Sequence, residues 1–138
     1  MSEERRVQNQ QVIDEFRANA GVVGGAFEGM TLLLLHHTGA RSGEAHVSPL
    51  ACVPDGDRWL VAAANGGRPH HPAWYFNLLA DPSVVIEFGT DTHQVTARVA
   101  EGGERDEPAG LIRTAYPFFA DFERATTRQI PVLVLERR

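Results

Sequence analysis

The sequence predicts a small antiparallel β-barrel, mainly β with helices packed outside it, in a single domain. Three observations carry that expectation. Six short apolar runs of strand length recur along the chain, mostly separated by turn signals, with one helical stretch interrupting them. The chain has 138 residues, 43% hydrophobic and 22% charged, a composition that suits one globular domain able to bury a core without staples. No repeat or low-complexity tract divides residues 1–138, so one unit is expected, with a helix over 1–20 and the barrel over 30–135.

The elements follow in order. Val12, Ile13, Phe16 and Ala20 fall on one side of a helix among polar neighbours, and Gly21 with Gly24-Gly25 ends it. Thr31 to His37 reads as a buried strand stopped by Thr38-Gly39. A second strand spans Val47 to Val53, and Pro49 marks it as an edge or a bulge. Pro54-Asp55-Gly56-Asp57 is a hairpin turn into a third strand, Arg58 to Ala64. Asn65-Gly66-Gly67 breaks that strand, and Pro72 opens a helix reaching Ala80. Ser83 to Gly89 and Thr92 to Ala100 form a further strand pair. Helical pieces cover Glu104 to Ala115 and Phe118 to Arg124, and Ile130 to Leu135 is the last strand.

Composition excludes several classes of function. Thirteen basic against eighteen acidic side chains give a net charge of −5, so a sequence-independent nucleic-acid binder is not expected. Cys52 is the single cysteine, which rules out an intrachain disulfide and a four-thiolate zinc site. The start MSEERRVQNQQ lacks the apolar core of a secretory signal, and the longest aliphatic run, Leu32 to Leu35, cannot span a bilayer; the chain reads as cytoplasmic. Arg5-Arg6 with Val12, Ile13 and Phe16 makes only a weak face for a membrane surface. His36-His37 and His70-His71 have no carboxylate or thiol at metal-ligand spacing, so no metal is assigned.

Three segments can carry chemistry. Gly39-Ala40-Arg41-Ser42-Gly43, with His46 just beyond, is a glycine-bounded loop able to aim N–H groups, a hydroxyl and a guanidinium at one anion; the alternative is a turn with a solvated arginine. Ala64-Asn65-Gly66-Gly67 lets backbone approach a flat ligand, and the helix opening at Pro72-Ala73-Trp74 offers free N–H groups beside it. Trp74, Tyr75 and Phe76 in a row cannot all enter one core, so at least one faces a groove, a partner or solvent. Phe119 and Phe122 share a helix face after Tyr116, either as a lid or as barrel cover.

Taken together, LLLLHHTGARSG, PLACVPDGDRWLVAAANGG, HPAWYFNLLADP and YPFF with TTRQIPVLVLE resemble, in this order, the deazaflavin (coenzyme F420)-dependent nitroreductase family. The resemblance runs over residues 12–136. It implies a six-stranded antiparallel split β-barrel of the FMN-binding type with flanking helices. It also implies that Arg41, Ser42, Gly43 and His46 hold the coenzyme's phosphate and acidic tail. Pro49, Ala64, Asn65, Gly66, Gly67, Pro72, Ala73, Trp74 and Asn77 would line its ring. The chain departs from the family where GRKSG becomes GARSG, where His46 and Asn65 replace basic residues, and where lid tyrosines become Phe119 and Phe122. Arg68 would compensate for part of the lost charge.

The implied activity is hydride transfer from reduced coenzyme F420 to an activated double bond, a quinone or a nitro compound. Phe119 and Phe122 would shape the slot for that small-molecule acceptor. Tyr116, the one phenol left in the segment, is the side-chain candidate for proton donor. The rivals are a non-catalytic F420 carrier and an FMN- or haem-binding split barrel. The family resemblance also allows a homodimer through a barrel face.

Overall fold

The computed structural model describes residues 3–138. The chain runs α1 (Glu3–Ala18), β1 (Leu32–Thr38), β2 (Ala45–Ala51), β3 (Val53–Asp55), β4 (Arg58–Ala62), α2 (Ala73–Ala80), β5 (Ser83–Phe88), β6 (Asp91–Val99), α3 (Asp106–Ala115), α4 (Phe118–Ala125) and β7 (Val132–Arg137). Short 3₁₀ turns occupy Gly25–Phe27, Asn65–Gly67 and Gly102–Arg105. The seven strands form one antiparallel sheet in the order β2-β1-β5-β6-β7-β4-β3.

That order dictates the shape. β2 and β3 stand at opposite ends of the sheet, yet only Cys52 separates them in the chain. The sheet therefore curls until its two edges meet at this residue, where they stay unpaired: a split barrel. The Cys52 N–H donates to the Thr31 carbonyl at 2.9 Å, and its side chain is 1% exposed. Seven strands replace the six expected, because the run from Val47 to Val53 turns a corner at Cys52. No glycine or proline announces that corner. Pro49 sits opposite Leu34 on edge strand β2, where its missing N–H leaves no bond unmade in the sheet.

The leucine run of β1 shows no alternation because both of its faces are covered. Leu33 and Leu35 point into the barrel with Trp59, Val61, Ile86, Leu133 and Leu135, and Leu78 of α2 packs against this cluster. Leu32 and Leu34 face the other way, onto Ile13 and Phe16 of α1. Leu60, Val132 and Val134 likewise meet Ile112 of α3 and Phe119 of α4 on the outer side. The pattern is that of strands buried on both faces.

Helix α1 ends at Ala18, so Ala20 lies past the helix at φ 54° and Gly21 at φ 95°. Much of its apolar side is taken up by the barrel: Ile13 and Phe16 are buried and Val12 packs against the same cluster, whereas Val7 is exposed. The Arg5 side chain lies outside the described residues. Arg17 ties the helix to β5 through a two-pronged pair with Glu87, at 2.8 and 3.1 Å, and His36 approaches the same carboxylate at 2.6 Å. These bonds hold the Glu87 carboxyl below the ordinary carboxylate range. Phe16→Ala is expected to cost about 3–5 kcal/mol in urea unfolding, with faster amide exchange in α1 than in β7.

Candidate active site

A groove of ≈ 200 Å³ opens where the barrel edges meet. Pro49, Leu50 and Ala51 of β2, Leu60 to Ala62 of β4, and Ala64-Asn65 form one side. Trp74 of α2, Ile112 of α3, Tyr116, and Phe118, Phe119 and Phe122 of α4 complete it. Phe118 meets Phe122 edge-on at 5.4 Å between ring centres and lies 5.5 Å from Tyr116. Phe119, 2% exposed, sits beneath this aromatic rim as part of the core. The three aromatics that open α2 diverge as their spacing requires: Trp74 enters the groove, Tyr75 packs against the barrel cluster, and Phe76 is 49% exposed.

The groove holds one hydroxyl, and main chain occupies it. Tyr116 Oη accepts from the Thr31 N–H at 3.1 Å and lies 2.8 Å from the Cys52 carbonyl and 3.1 Å from the Thr31 carbonyl. Its single proton is thus engaged at the seam, and burial raises its pKa. The phenol nominated as a proton donor ties α3–α4 to the corner where the barrel is split.

Next to the groove, Asn65, Gly66 and Gly67 have φ values of 50°, 65° and 80°. The two glycines differ in role. A Cβ on Gly66 would meet open space, whereas one on Gly67 would lie 3.1 Å from Ala125 Cβ and 3.3 Å from Phe122 Cα. Gly67 is what allows the loop to lie against α4; Gly66 alone leaves a surface that a ligand could approach. The loop is also held by Arg128, which bonds the carbonyls of Ala63, Ala64 and Arg68.

On the far side of α2, the loop joining β1 to β2 is closed by Gly39 N–H to Glu44 carbonyl at 2.8 Å. Ser42 Oγ turns inward, accepting from the Glu44 N–H at 3.2 Å, in a space that a Cβ on Gly39 would fill at 2.3 Å. Arg41 and Gly43 are exposed, and Arg41 meets no carboxylate among the described residues. His46 stacks on His37 at 5.4 Å. Asn77 joins this loop to α2: its Oδ1 accepts from the Ala40 N–H at 2.8 Å. That assignment fixes the amide, so Nδ2 donates to His37 Nδ1 at 2.9 Å, and His37 Nε2–H donates to Ser48 Oγ at 2.9 Å. By distance alone, Ser48, His37 and Asn77 look like a nucleophilic triad. The polarity is reversed, since the imidazole nitrogen facing the serine carries a proton and cannot take one. Burial, with help from His46 and His36, pushes the His37 pKa down to about 4 and keeps the ring neutral.

Of the residues expected from sequence, Pro49, Ala64, Asn65, Trp74, Tyr116, Phe119 and Phe122 come together in the groove lining. Arg41, Ser42 and Gly43 lie on the separate loop with His46 just after it on β2, and Gly66, Gly67, Pro72, Ala73 and Asn77 fall outside the lining. Asn77 is the bracket between the two parts, three residues along α2 from Trp74 and thus about 4.5 Å farther along its axis. Sequence reasoning missed Phe118, His37 and Arg128. The last had a signal: a charged residue inside TTRQIPV, two positions ahead of the apolar run Ile130 to Leu135.

A model of the F420H(2)-dependent quinone reductase family matches residues 8–137. An F420H(2)-dependent quinone reductase of Mycobacterium tuberculosis is 35% identical over 128 residues, covering 89% of this chain and 85% of that protein. A solved F420-H2 dependent reductase, FDR-A, superposes with a TM-score of 0.71 at 39% identity, covering 76% of this chain and 93% of the other. A second solved chain, described as a domain-swapped dimer, gives a TM-score of 0.73 at 32% identity and covers 98% of this chain.

The His37 arrangement makes a pH prediction. Because the folded-state pKa is about 4, below the ordinary imidazole value, the unfolded chain takes up the proton first as pH falls. The stabilisation is complete above about pH 6.5 and is lost toward pH 4, roughly 3 kcal/mol in all. Urea midpoints between pH 7 and 4 should fall more steeply for wild type than for His37→Gln, and equal slopes would place the proton elsewhere.

Proposed function

The chain belongs to the F420H(2)-dependent quinone reductase family, and on that premise we propose that its groove and arginine loop together hold coenzyme F420 for hydride transfer to a quinone-like acceptor. The observation carrying this reading is the division of polarity along α2. Trp74 belongs to an apolar, aromatic-walled groove, and three residues on Asn77 steadies a loop whose arginine meets no carboxylate. A flat apolar ring with an anionic tail fits such a surface: the ring on Pro49, Ala64, Gly66 and Trp74, the tail toward Arg41 and Ser42. The first turn of α2, opening at Pro72 and Ala73, has no side-chain cap, and its N-terminal end would face the same ligand.

When bound, the reduced coenzyme supplies a hydride. The protein contributes position and exclusion of water. Phe118 and Phe122 form the rim against which a planar acceptor stacks, with Phe119 fixing them from below. Reduction of a quinone to a hydroquinone needs one hydride and one proton. With the Tyr116 proton held by backbone carbonyls, that proton comes from water at the open side of the groove. Nitro compounds and activated double bonds would use the same slot.

A self-associating form belongs to the same reading, since one relative is described as a domain-swapped dimer. The terminal α1, tied down by Ile13, Phe16 and the Arg17–Glu87 pair beyond a bend at Ala20 and Gly21, is the element best placed to exchange. Light scattering on wild type should then find a dimer fraction that grows with concentration.

Fluorescence titration with oxidised F420 tests the assignment. Arg41→Ala is expected to weaken binding about tenfold or more, the loss of one charge-assisted contact of about 1.5–3 kcal/mol. Tighter binding of FMN in a parallel titration would overturn the coenzyme assignment. Tight F420 binding without oxidation of the reduced coenzyme by any of a quinone panel would overturn the enzyme reading in favour of a carrier. Tyr116→Phe should lower stability by about 1–2 kcal/mol while leaving turnover within a few-fold of wild type.

A further inference from the structure

We propose that Arg128 is a positioning residue for the coenzyme site: one guanidinium shapes the glycine loop into its ring-facing form and fixes the orientation of His71 beside it. The proposal rests on the coenzyme reading above, and its first step stands on geometry alone. Arg128 Nε donates to the Arg68 carbonyl at 3.0 Å, and Nη2 donates to the carbonyls of Ala64 at 2.9 Å and Ala63 at 3.2 Å. These acceptors bracket Asn65, Gly66 and Gly67, three consecutive residues in the left-handed region. Successive left-handed residues are costly for Asn65, which has a Cβ; the loop closes on itself through Gly67 N–H to Ala64 and Arg68 N–H to Asn65, and the Asn65 side chain adds bonds to the His70 carbonyl and from Arg68. A fork of donors on both sides of the bend supplies what the local bonds do not.

The remaining arm of the fork sets His71. Arg128 Nη1 lies 2.8 Å from His71 Nδ1, and a guanidinium can only donate, so Nδ1 accepts and the ring proton sits on Nε2. The ring also packs on Tyr75 at 4.7 Å and Phe76 at 5.7 Å, which orients it at the entrance to α2. With Nδ1 accepting from the guanidinium the ring is neutral, and burial and the neighbouring charge both lower the His71 pKa in the same sense. Among the described residues Arg128 meets no carboxylate, so its charge is balanced by carbonyl and imidazole dipoles alone. Lysine would keep the charge and lose the fork, which separates shape from charge experimentally.

Wild type, Arg128→Lys and Arg128→Met are compared by three readouts. In unliganded protein, amide exchange at Gly67 and Arg68 should speed up about tenfold or more in both variants, while Leu33 to Leu35 stay protected as in wild type. By imidazole NMR, His71 should titrate higher in Arg128→Met than in wild type and lose its fixed Nε2–H tautomer. Oxidised F420 should bind about tenfold more weakly to both variants. Wild-type exchange, tautomer and affinity in Arg128→Lys would show that charge alone suffices and overturn the proposal. Unchanged exchange at Gly67 and Arg68 in both variants would overturn it as well. Failure of wild type to bind F420 would instead overturn the coenzyme reading, leaving the exchange and NMR arms to decide the role of Arg128 in the loop.

Discussion

The side-chain amide of Asn77 fastens helix α2 to β1 and the loop that follows it by two directional bonds, where Leu78 beside it supplies only apolar packing. It is 7% exposed, and both of its ends are used: the oxygen takes the Ala40 N–H and the nitrogen gives to His37. No other side chain of similar size serves this arrangement. An aspartate would accept at both ends, so His37 would have to carry a proton on Nδ1, and a buried charge would replace a satisfied dipole. A leucine would strand the Ala40 N–H and a ring nitrogen without partners. Because the amide belongs to the helix that also carries Trp74, the loop and the groove keep a set spacing. The chemistry proposed for them depends on that spacing more than on any single contact with a ligand.

The charge pattern has the same local logic. The chain is acidic overall, at −5, which looks unfavourable for a polyanionic ligand. Much of its basic charge is spent away from the site: Arg17, Arg58, Arg98, Arg105, Arg113 and Arg124 all face carboxylates. Among the described residues Arg41, Arg68 and Arg128 do not, and neither do Arg137 and Arg138 at the end of β7. A paired arginine offers an incoming anion little net field, whereas an unpaired one offers most of its charge. Net charge is therefore a poor guide to this surface, and the hydrogen-bond inventory is a better one.

Much of the fold was legible because local chemistry and tertiary demand agree there. The turn at Pro54 to Asp57, with Gly56 at φ 63°, and Pro49 on an edge strand are cases where one residue's backbone preference settles the answer. The corner at Cys52 was not legible, since a residue that merely changes sheet edge needs no unusual dihedral and looks like any buried strand position. The same holds for the site. Glycines could be seen, but whether each faces a ligand or a helix depends on what packs opposite, and Gly67 turned out to serve α4. His37 appeared as half of a histidine pair, and only the fixed amide of Asn77 reveals its tautomer.

Two aromatic positions show how packing and the groove divide helix α4. Phe119 is 2% exposed among Ile112, Ile130 and Val134, so an added hydroxyl would have to find a partner inside an apolar cluster. Phenylalanine there answers to the core. Phe122 is only half-buried, against Phe118 and close to Gly67, and its identity is free to answer to whatever enters the groove. With Tyr116 committed to the seam and Phe122 lacking a donor, the groove would offer the proposed acceptor flat apolar contact but no free side-chain hydroxyl. Such a surface discriminates by shape and apolar area. It favours acceptors whose reduced form needs nothing from the protein beyond access to water, and that is the sense in which a planar quinone suits it.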